Sequence, residues 1–495
     1  MSLFAVFGLA VQLCLAQNPP KVALDTNESL FAVLAAINNC GYDSGLNISG
    51  PIRAQIRAEV ANAAAASDAA KDVSGTLCQY FSEHQQTDPS HTLAQYVSLA
   101  LYLGPPPEFA LKVKDADLPP DASAVEGILP MLQKFYDEAG LGVIWQRHRE
   151  AYAVLTERYH QPLSKMLFDT EIYLKLPSAG YLGHAFTVYL DPMGDPGETN
   201  ARNYGSDYYV VISPGTGSAL KMEQIRHTYL HYLLDPMALK YPTAMERLKP
   251  LLASVKNAPM DEGFKTDASL LATECLIRAV EARTVGSKKA PESERQVAVG
   301  ESVRQGFVLT PYFYEALVKL EKSPQGMRTA YGDMVTTIDV RKEQRIAAQV
   351  QFAKKADPEL LHLSRPVSGK LLVTAEQRLS AGDPAAAQKL AQEALDQHSE
   401  DAGRALFILA QVATVNRDMQ GARSYFEKAL GVAQEPKVVA WSHIYLGRIF
   451  DLQEDREAAL GHYRAALTAS ASLPEAKAAA QRGLDQPYAP PSHSQ

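Results

Sequence analysis

The chain has 495 residues, enough for two or three domains that each bury a sizeable core. Hydrophobic residues make up 46% of it and charged residues 21%, the composition of an ordinary globular protein. The formal net charge of -8, with no basic run to override it, argues against nucleic acid as the main partner.

The N-terminus differs from the rest of the chain. Residues 3–16 form an uncharged apolar run with the length of the h-region of a signal peptide, and Cys14-Leu15-Ala16 fits a small-x-small cleavage site. Because Asn-Pro-Pro at residues 18–20 would stop a helix, a signal peptide over residues 1–16 is favoured over a buried N-terminal helix. Export to the periplasm or the medium is therefore expected. No later segment has the length and apolarity of a transmembrane helix.

The number and spacing of the cysteines do not define a set of disulfides. After cleavage Cys40, Cys78 and Cys275 would remain, and no CxxC spacing is present, so a cysteine-based zinc site is not expected. In an oxidising compartment Cys40 and Cys78 can pair, but the default expectation is buried apolar thiols.

The periodicity predicts a mostly helical chain with one short sheet. Strands are expected at 184–190 and 207–212, joined by a hairpin-like connection over 191–205 that is rich in Pro, Gly, Asp and Asn. Helices are expected over most of 26–115 (with an Ala-rich helix at 53–70), over 123–168, and at about 219–234, 243–256, 266–284 and 311–323. This order suits one α+β domain over residues 22–355.

The helix predicted at 219–234 carries His227 and His231. Histidines four residues apart lie on one helix face and can share one metal ion, which is the frame of the zinc-protease motif H-E-x-x-H. The residue after the first histidine should be the glutamate that activates water, but it is Thr228. A later predicted helix, residues 270–281, carries Glu274 in an otherwise apolar stretch. A buried carboxylate is costly there unless it is paired or bound to a metal. Arg278, one turn on, can orient or neutralise it.

Residues 180–285 resemble the gluzincin branch of zinc metalloproteases, with a strand, a two-histidine helix and a glutamate-bearing helix. The resemblance implies zinc held by His227, His231 and Glu274, and an edge strand at 207–212 that holds extended substrate beside the histidine helix. The family's catalytic glutamate maps to Thr228. A positioned general base contributes about 10²–10⁴-fold, so peptidase activity should be weak or absent.

Three further acidic residues lie near this motif. Glu223, one turn before the first histidine, is a weak alternative base. Glu281 is interpreted as a surface charge. Asp235 extends the four-residue series of the histidines and can ligate a metal or bond to an imidazole, but its place before Pro236 favours a cap at the helix end.

The C-terminal part repeats with a period near 35. Asp383, Asp418 and Asp455 recur at intervals of 35 and 37 residues, as do the alanines at 387, 422 and 459. Residues 368–484 thus resemble tetratricopeptide repeats, paired helices that stack into an α-solenoid and bind protein or peptide partners in a groove. The tail at 486–495 is predicted to be disordered.

The expected fold is α+β and mostly helical: a zincin-like domain with a small sheet, followed by the α-solenoid. The first hypothesis is an exported, catalytically degenerate zinc-binding domain joined to a protein-interaction domain. The second is an active metallohydrolase with a non-standard base such as Glu223. The third is a metal-free scaffold in which both histidines are structural.

Overall fold

A computed structural model describes most of the chain. The described residues are 22–113, 118–176, 185–204, 207–217, 219–284, 291–356, 361–364, 371–380, 382–397, 401–433, 435–470 and 473–489. The predicted signal peptide at 1–16 lies outside these residues, as does most of the predicted tail. In the described part, no helix is both long enough and apolar enough to span a bilayer.

A mixed five-stranded sheet forms the centre of the first domain. Its strands are β1 (Val22–Asp25), β2 (Ala185–Leu190), β3 (Thr199–Tyr204), β4 (Asp207–Ile212) and β5 (Leu361–Ser364), in the order β1-β2-β4-β3-β5. β4 pairs in parallel with β2 and antiparallel with β3.

Two expectations about this sheet were wrong. Residues 191–205 are not only a connection, because they contain the strand β3. The hairpin is formed by β3 and β4, and not by β2 and β4. The chain leaves β2, runs back as β3, and returns as β4 between the two. β4 is therefore an interior strand and not the expected edge strand. β3 was missed because its sequence, TNARNY, is polar, although its residues are largely buried.

Seven helices form an N-terminal layer over the sheet. They are α1 (Glu28–Asn39), α2 (Pro51–Ala64), α3 (Asp68–Glu83), α4 (Pro89–Tyr102), α5 (Pro120–Ser123), α6 (Leu129–Glu138) and α7 (Leu141–Leu174). The predicted helix at 53–70 is in fact split between α2 and α3, since Ser67 caps a new helix by accepting a hydrogen bond from Ala70 N. Cys40 and Cys78 form a disulfide that ties the end of α1 to α3, so the expectation of buried thiols was wrong for this pair and holds for the buried, unpaired Cys275.

A second helical layer packs around one central helix, α12. Its members are α8 (Met222–Ala238), α9 (Pro242–Leu248), α10 (Pro250–Ser254), α11 (Glu262–Thr266), α12 (Ala268–Thr284), α13 (Glu292–Gln305), α14 (Thr310–Lys322), α15 (Met327–Thr336) and α16 (Val340–Ala347). α8 runs through Pro236 instead of ending before it. The predicted helix at 243–256 is divided at Pro250.

The C-terminal part is a stack of antiparallel helix pairs, as predicted. The helices are α17 (Leu371–Ser380), α18 (Pro384–Gln397), α19 (Ala402–Val415), α20 (Met419–Val432), α21 (Pro436–Leu452), α22 (Arg456–Ala469) and α23 (Pro474–Asp485). The repeating alanines at 387, 422 and 459 are fully buried, which lets the paired helices approach closely. The first helix of each pair faces the sheet of the first domain, where Lys437 on α21 forms an ion pair with Asp207 on β4.

Candidate metal centre

Two crossing helices bring the predicted ligands together. His227 and His231 lie on one face of α8, and Glu274 projects from α12, which packs against it. Glu274 Oε2 lies 3.5 Å from His227 Nε2 and 3.3 Å from His231 Nε2. One nitrogen or oxygen atom from each of the three residues falls within 4.8 Å of the other two. Local helix periodicity thus places the histidines, and helix packing supplies the carboxylate.

Each of these residues is held from behind by a second side chain. His227 Nδ1 lies 2.8 Å from Glu281 Oε1, and His231 Nδ1 lies 3.0 Å from Asp235 Oδ1. Arg278 Nε donates to Glu274 Oε1 at 2.8 Å, a contact that can both orient and neutralise this carboxylate. Carboxylates on the far ring nitrogen fix the orientation of metal-bound histidines and raise their basicity.

Two of these partners correct the sequence interpretation. Glu281 is not a free surface charge, because its side chain is 31% exposed and bonded to His227. Asp235 does not cap the end of α8, because the helix continues past it and its carboxylate faces His231. A usable signal for Glu281 was present in the sequence: it lies seven positions after Glu274, two turns along the same face of α12.

The site is closed from water on most sides. The side chains of His231 and Glu274 are 1% and 2% exposed, and that of His227 is 17% exposed. Burial by itself lowers the pKa of His227, but the Glu281 and Glu274 carboxylates outweigh it and raise that pKa to about 10. Burial raises the pKa of Glu274, whereas His227 and Arg278 together bring it well below its usual range. The pocket therefore favours positive charge.

Residue 228, where the protease motif has its catalytic glutamate, is a threonine and cannot act as the general base. Thr228 is fully buried, and its hydroxyl donates to the carbonyl of Gln224 at 3.1 Å. A hydroxyl used in this way cannot take a proton from water near neutral pH. Glu223, the weak alternative, is exposed in the first turn of α8, and no contact joins it to the three ligand candidates within the described residues.

Comparison with known proteins identifies one part of the chain. A family model for the tetratricopeptide repeat matches residues 372–437, which span α17–α20 and the start of α21. No curated protein matches the chain. No solved structure matches it either. Residues 372–437 thus match the tetratricopeptide repeat, which acts in other proteins as a protein-interaction module.

Proposed function

We propose that this protein is an exported, metalloprotease-like protein whose zinc site binds metal but lacks the catalytic base, joined to a tetratricopeptide interaction domain. The observation that carries the proposal is the convergence of His227 Nε2, His231 Nε2 and Glu274 Oε2. Two histidines and one glutamate are a common donor set for zinc, leaving one position for water or another ligand.

The hydrogen bonds behind the ligands support a cation at this point. If each histidine donates its Nδ1 proton to the carboxylate behind it, both Nε2 atoms present lone pairs toward Glu274. Glu274 Oε2 is buried and lies 3.5 Å from His227 Nε2 and 3.3 Å from His231 Nε2. Three lone pairs that face one another repel unless a positive charge lies between them. A zinc ion would provide that charge through all three donors.

Zinc bound there would act as a Lewis acid that polarises a bound water or carbonyl oxygen. Glu281 and Asp235 would keep the two imidazoles in the ligating tautomer, and Arg278 would hold the glutamate. Thr228 offers no proton acceptor, so this proposal includes little or no peptidase turnover. The role of the protein is then to bind a partner through its tetratricopeptide repeats.

A metal-free scaffold is the second candidate, and one observation favours it. The pKa of His227 is raised to about 10 by Glu281 and Glu274 against the effect of burial. A proton on Nε2 of this ring could replace the metal as the positive charge, and the cluster would then be a buried ion-pair network that stabilises the packing of α8 on α12.

Export is supported by the disulfide and by the leader-like residues 3–16. Disulfides persist in oxidising compartments and are rare in the cytosol of mesophiles. Cys40 and Cys78 are paired, 38 positions apart in the sequence. A protein partner is implied by the tetratricopeptide repeats.

Elemental mass spectrometry of the purified full chain tests the metal site. We expect one zinc per chain, lost in His227→Ala and in Glu274→Ala and retained in His160→Ala, which changes an exposed histidine on α7. A wild-type protein without zinc, even after zinc is supplied, would overturn the proposal in favour of the scaffold. Hydrolysis of peptides that disappears in His227→Ala would overturn its inactive part.

A further inference from the structure

The groove of the tetratricopeptide repeats faces the protein's own sheet. The first helices of the pairs (α17, α19, α21) and α23 form one wall, and β1, β2 and β4 form the other. Between them lies a chamber of about 220 Å³. This is smaller than the pockets that hold drug-sized ligands, about 300–1,000 Å³, so it suits a small molecule or a single side chain and not an extended chain.

The chamber is separate from the candidate metal centre. Side chains alternate along a strand, so successive residues point to opposite faces of the sheet. On β4, Tyr208 and Val210 pack with Ile225 and Tyr229 of α8, whereas Tyr209 lines the chamber. A ligand in the chamber would therefore lie on the other face of the sheet from His227.

Aromatic rings form much of the chamber wall. Phe407 and Trp441 come from the repeats, and four tyrosines come from the first domain: Tyr102, Tyr189, Tyr204 and Tyr209. The rings of Tyr189 and Tyr209 stack with centroids 6.1 Å apart. Burial raises the pKa of these tyrosines, so each keeps a neutral phenol. Such rings bury apolar groups well, and their faces attract cations.

The charged side chains of the chamber are unequally matched. Five carboxylates face three cations: Asp25, Asp207, Glu376, Glu435 and Glu475 against Lys112, Arg404 and Lys437. Each cation already has an acceptor. Arg404 donates twice to Glu376, both at 2.8 Å, Lys437 pairs with Asp207, and Lys112 Nζ donates to the carbonyl of Leu101 at 3.0 Å.

Glu435 and Glu475 are the carboxylates left over. No hydrogen bond to either side chain is found among the described residues, although both lie in the chamber wall. Burial raises the pKa of each to about 7, and the Arg404 and Lys437 charges do not offset it at Glu435. Both side chains are half-buried in the chamber wall, and a cationic ligand would offset the cost of partly shielding their charge from water.

We propose that this chamber binds a small organic cation, a primary ammonium group carried on an apolar body. Glu435 and Glu475 receive the ammonium group, and the aromatic wall with Trp441 receives the apolar part. The repeats thereby act as one half of a small-molecule site in addition to any contact with a protein partner.

Calorimetric titration of the full chain with three ligands of similar shape tests this proposal. The ligands are phenethylamine, the neutral 2-phenylethanol and the anionic 3-phenylpropionate, at pH 7.5. We expect phenethylamine to bind at least about tenfold more tightly than either of the others, as expected for a charge-assisted hydrogen bond. Trp441 fluorescence should change on binding. No binding of the amine, equal binding of the alcohol, or a preference for the anion would each overturn the proposal.

Variants locate the site. Glu435→Gln and Glu475→Gln should each weaken phenethylamine binding about tenfold. Glu457→Gln, an exposed carboxylate on α22, should leave it unchanged. The chamber lies on the other face of the sheet from the metal centre, so failure of the metal centre would not affect this result. Unaltered binding in both Glu435→Gln and Glu475→Gln would overturn the assignment. If these two variants fail to fold, the ligand series on the wild-type chain still decides the question.

The ammonium group could belong to a free amine or to a lysine side chain of a peptide. A second titration with the acetylated, amidated tripeptide Phe-Lys-Phe distinguishes these sources. Binding of phenethylamine alone assigns the chamber to free amines. Tighter binding of the tripeptide assigns it to a lysine side chain, and both results support a cation site.

Discussion

Glu281 Oε1 lies 2.8 Å from His227 Nδ1, on the side of the ring opposite Glu274. The two glutamates are seven positions apart, so one face of α12 holds both nitrogen atoms of a histidine on α8. This contact sets the tautomer of His227 when no extra proton is bound, and it directs the Nε2 lone pair toward the point where the three ligand candidates meet. The metal proposal depends on it as much as on the ligands themselves.

The first prediction concerns the carboxylate of Glu281, which contacts the Nδ1 side of His227. Glu281→Gln keeps the size of the side chain but removes its charge, which makes the imidazole of His227 a weaker ligand. Zinc affinity should fall about 10–100-fold, the usual effect of losing such a partner. Competition with a chromophoric chelator measures it.

Glu223→Gln is the matched control for Glu281→Gln. It removes an exposed carboxylate from the first turn of α8, and zinc affinity should stay as in the wild type. Equal affinity in wild type and Glu281→Gln would show that the Glu281 contact does not support a metal. The same Glu223→Gln protein tests the alternative base, because an active hydrolase that used Glu223 would lose turnover and keep its zinc.

The second prediction is a pH dependence set by Asp191. This residue is fully buried after β2, and its Oδ1 accepts hydrogen bonds from Met193 N at 2.8 Å and Tyr152 Oη at 3.3 Å. Burial raises its pKa from 3.8 to about 7, against the lowering effect of those bonds. Between pH 3.8 and about 7 the folded chain keeps a proton on Asp191 that the unfolded chain releases. The stability contributed by protonated Asp191 is therefore full below pH 3.8 and is lost as the pH rises through about 7.

Urea denaturation at several pH values between 5 and 8 measures this effect. The difference in unfolding free energy between Asp191→Asn and the wild type should move in favour of the variant as the pH rises. Using the difference removes the contributions of Glu435 and Glu475, which titrate in the same range. A difference that is constant with pH would show that Asp191 is ionised throughout.

Local sequence signals predicted the candidate site better than they predicted the sheet. The spacing of His227 and His231 and the cost of burying Glu274 are properties of single helices, and helix periodicity is readable from sequence. β3 is different, because its polar side chains are buried only where tertiary contacts satisfy them. Arg202, for example, donates to the carbonyl of Ala94 on α4, 108 positions away in the sequence. No local pattern encodes such partners.

The packing of the repeat groove against the sheet also could not be predicted from the sequence. Recurring aspartates and alanines predict the repeats over 368–484, and the family match confirms them over residues 372–437. That pattern describes contacts between neighbouring helices, whereas the docking of the groove on the sheet depends on contacts such as Lys437 with Asp207, 230 positions apart. The predicted role of the groove in holding a peptide therefore stays a prediction, now limited by the size of the chamber.

The third prediction concerns the disulfide. Replacing both Cys40 and Cys78 by serine frees a loop of 38 residues in the unfolded chain. The chain-entropy estimate for a loop of this length is about 4 kcal/mol of lost stability. Urea denaturation of the double variant should show the loss, and the wild type in reducing buffer should show a similar one. Cys275→Ser tests whether reductant acts elsewhere, because reductant should still destabilise that variant. Unchanged stability of the double variant would contradict the prediction.

The fourth prediction concerns the packing of the last repeats. Gly447 on α21 faces the ring of Tyr463, and an added Cβ would lie 2.7 Å from Tyr463 Cε1. The ring cannot move away, because it is 1% exposed, its hydroxyl donates to Asp451 at 2.8 Å, and Gly483 of α23 packs against it as well. Gly447→Ala should therefore cost about 1–3 kcal/mol of stability through overpacking.

Gly461→Ala is the matched control, since Gly461 is exposed on α22 with nothing within 4 Å of the added Cβ. There the lower backbone entropy of alanine should stabilise the helix by about 0.5–1 kcal/mol. Thermal unfolding of both variants measures the contrast, and an equal shift in the two would show that the ring of Tyr463 does not limit the space at Gly447.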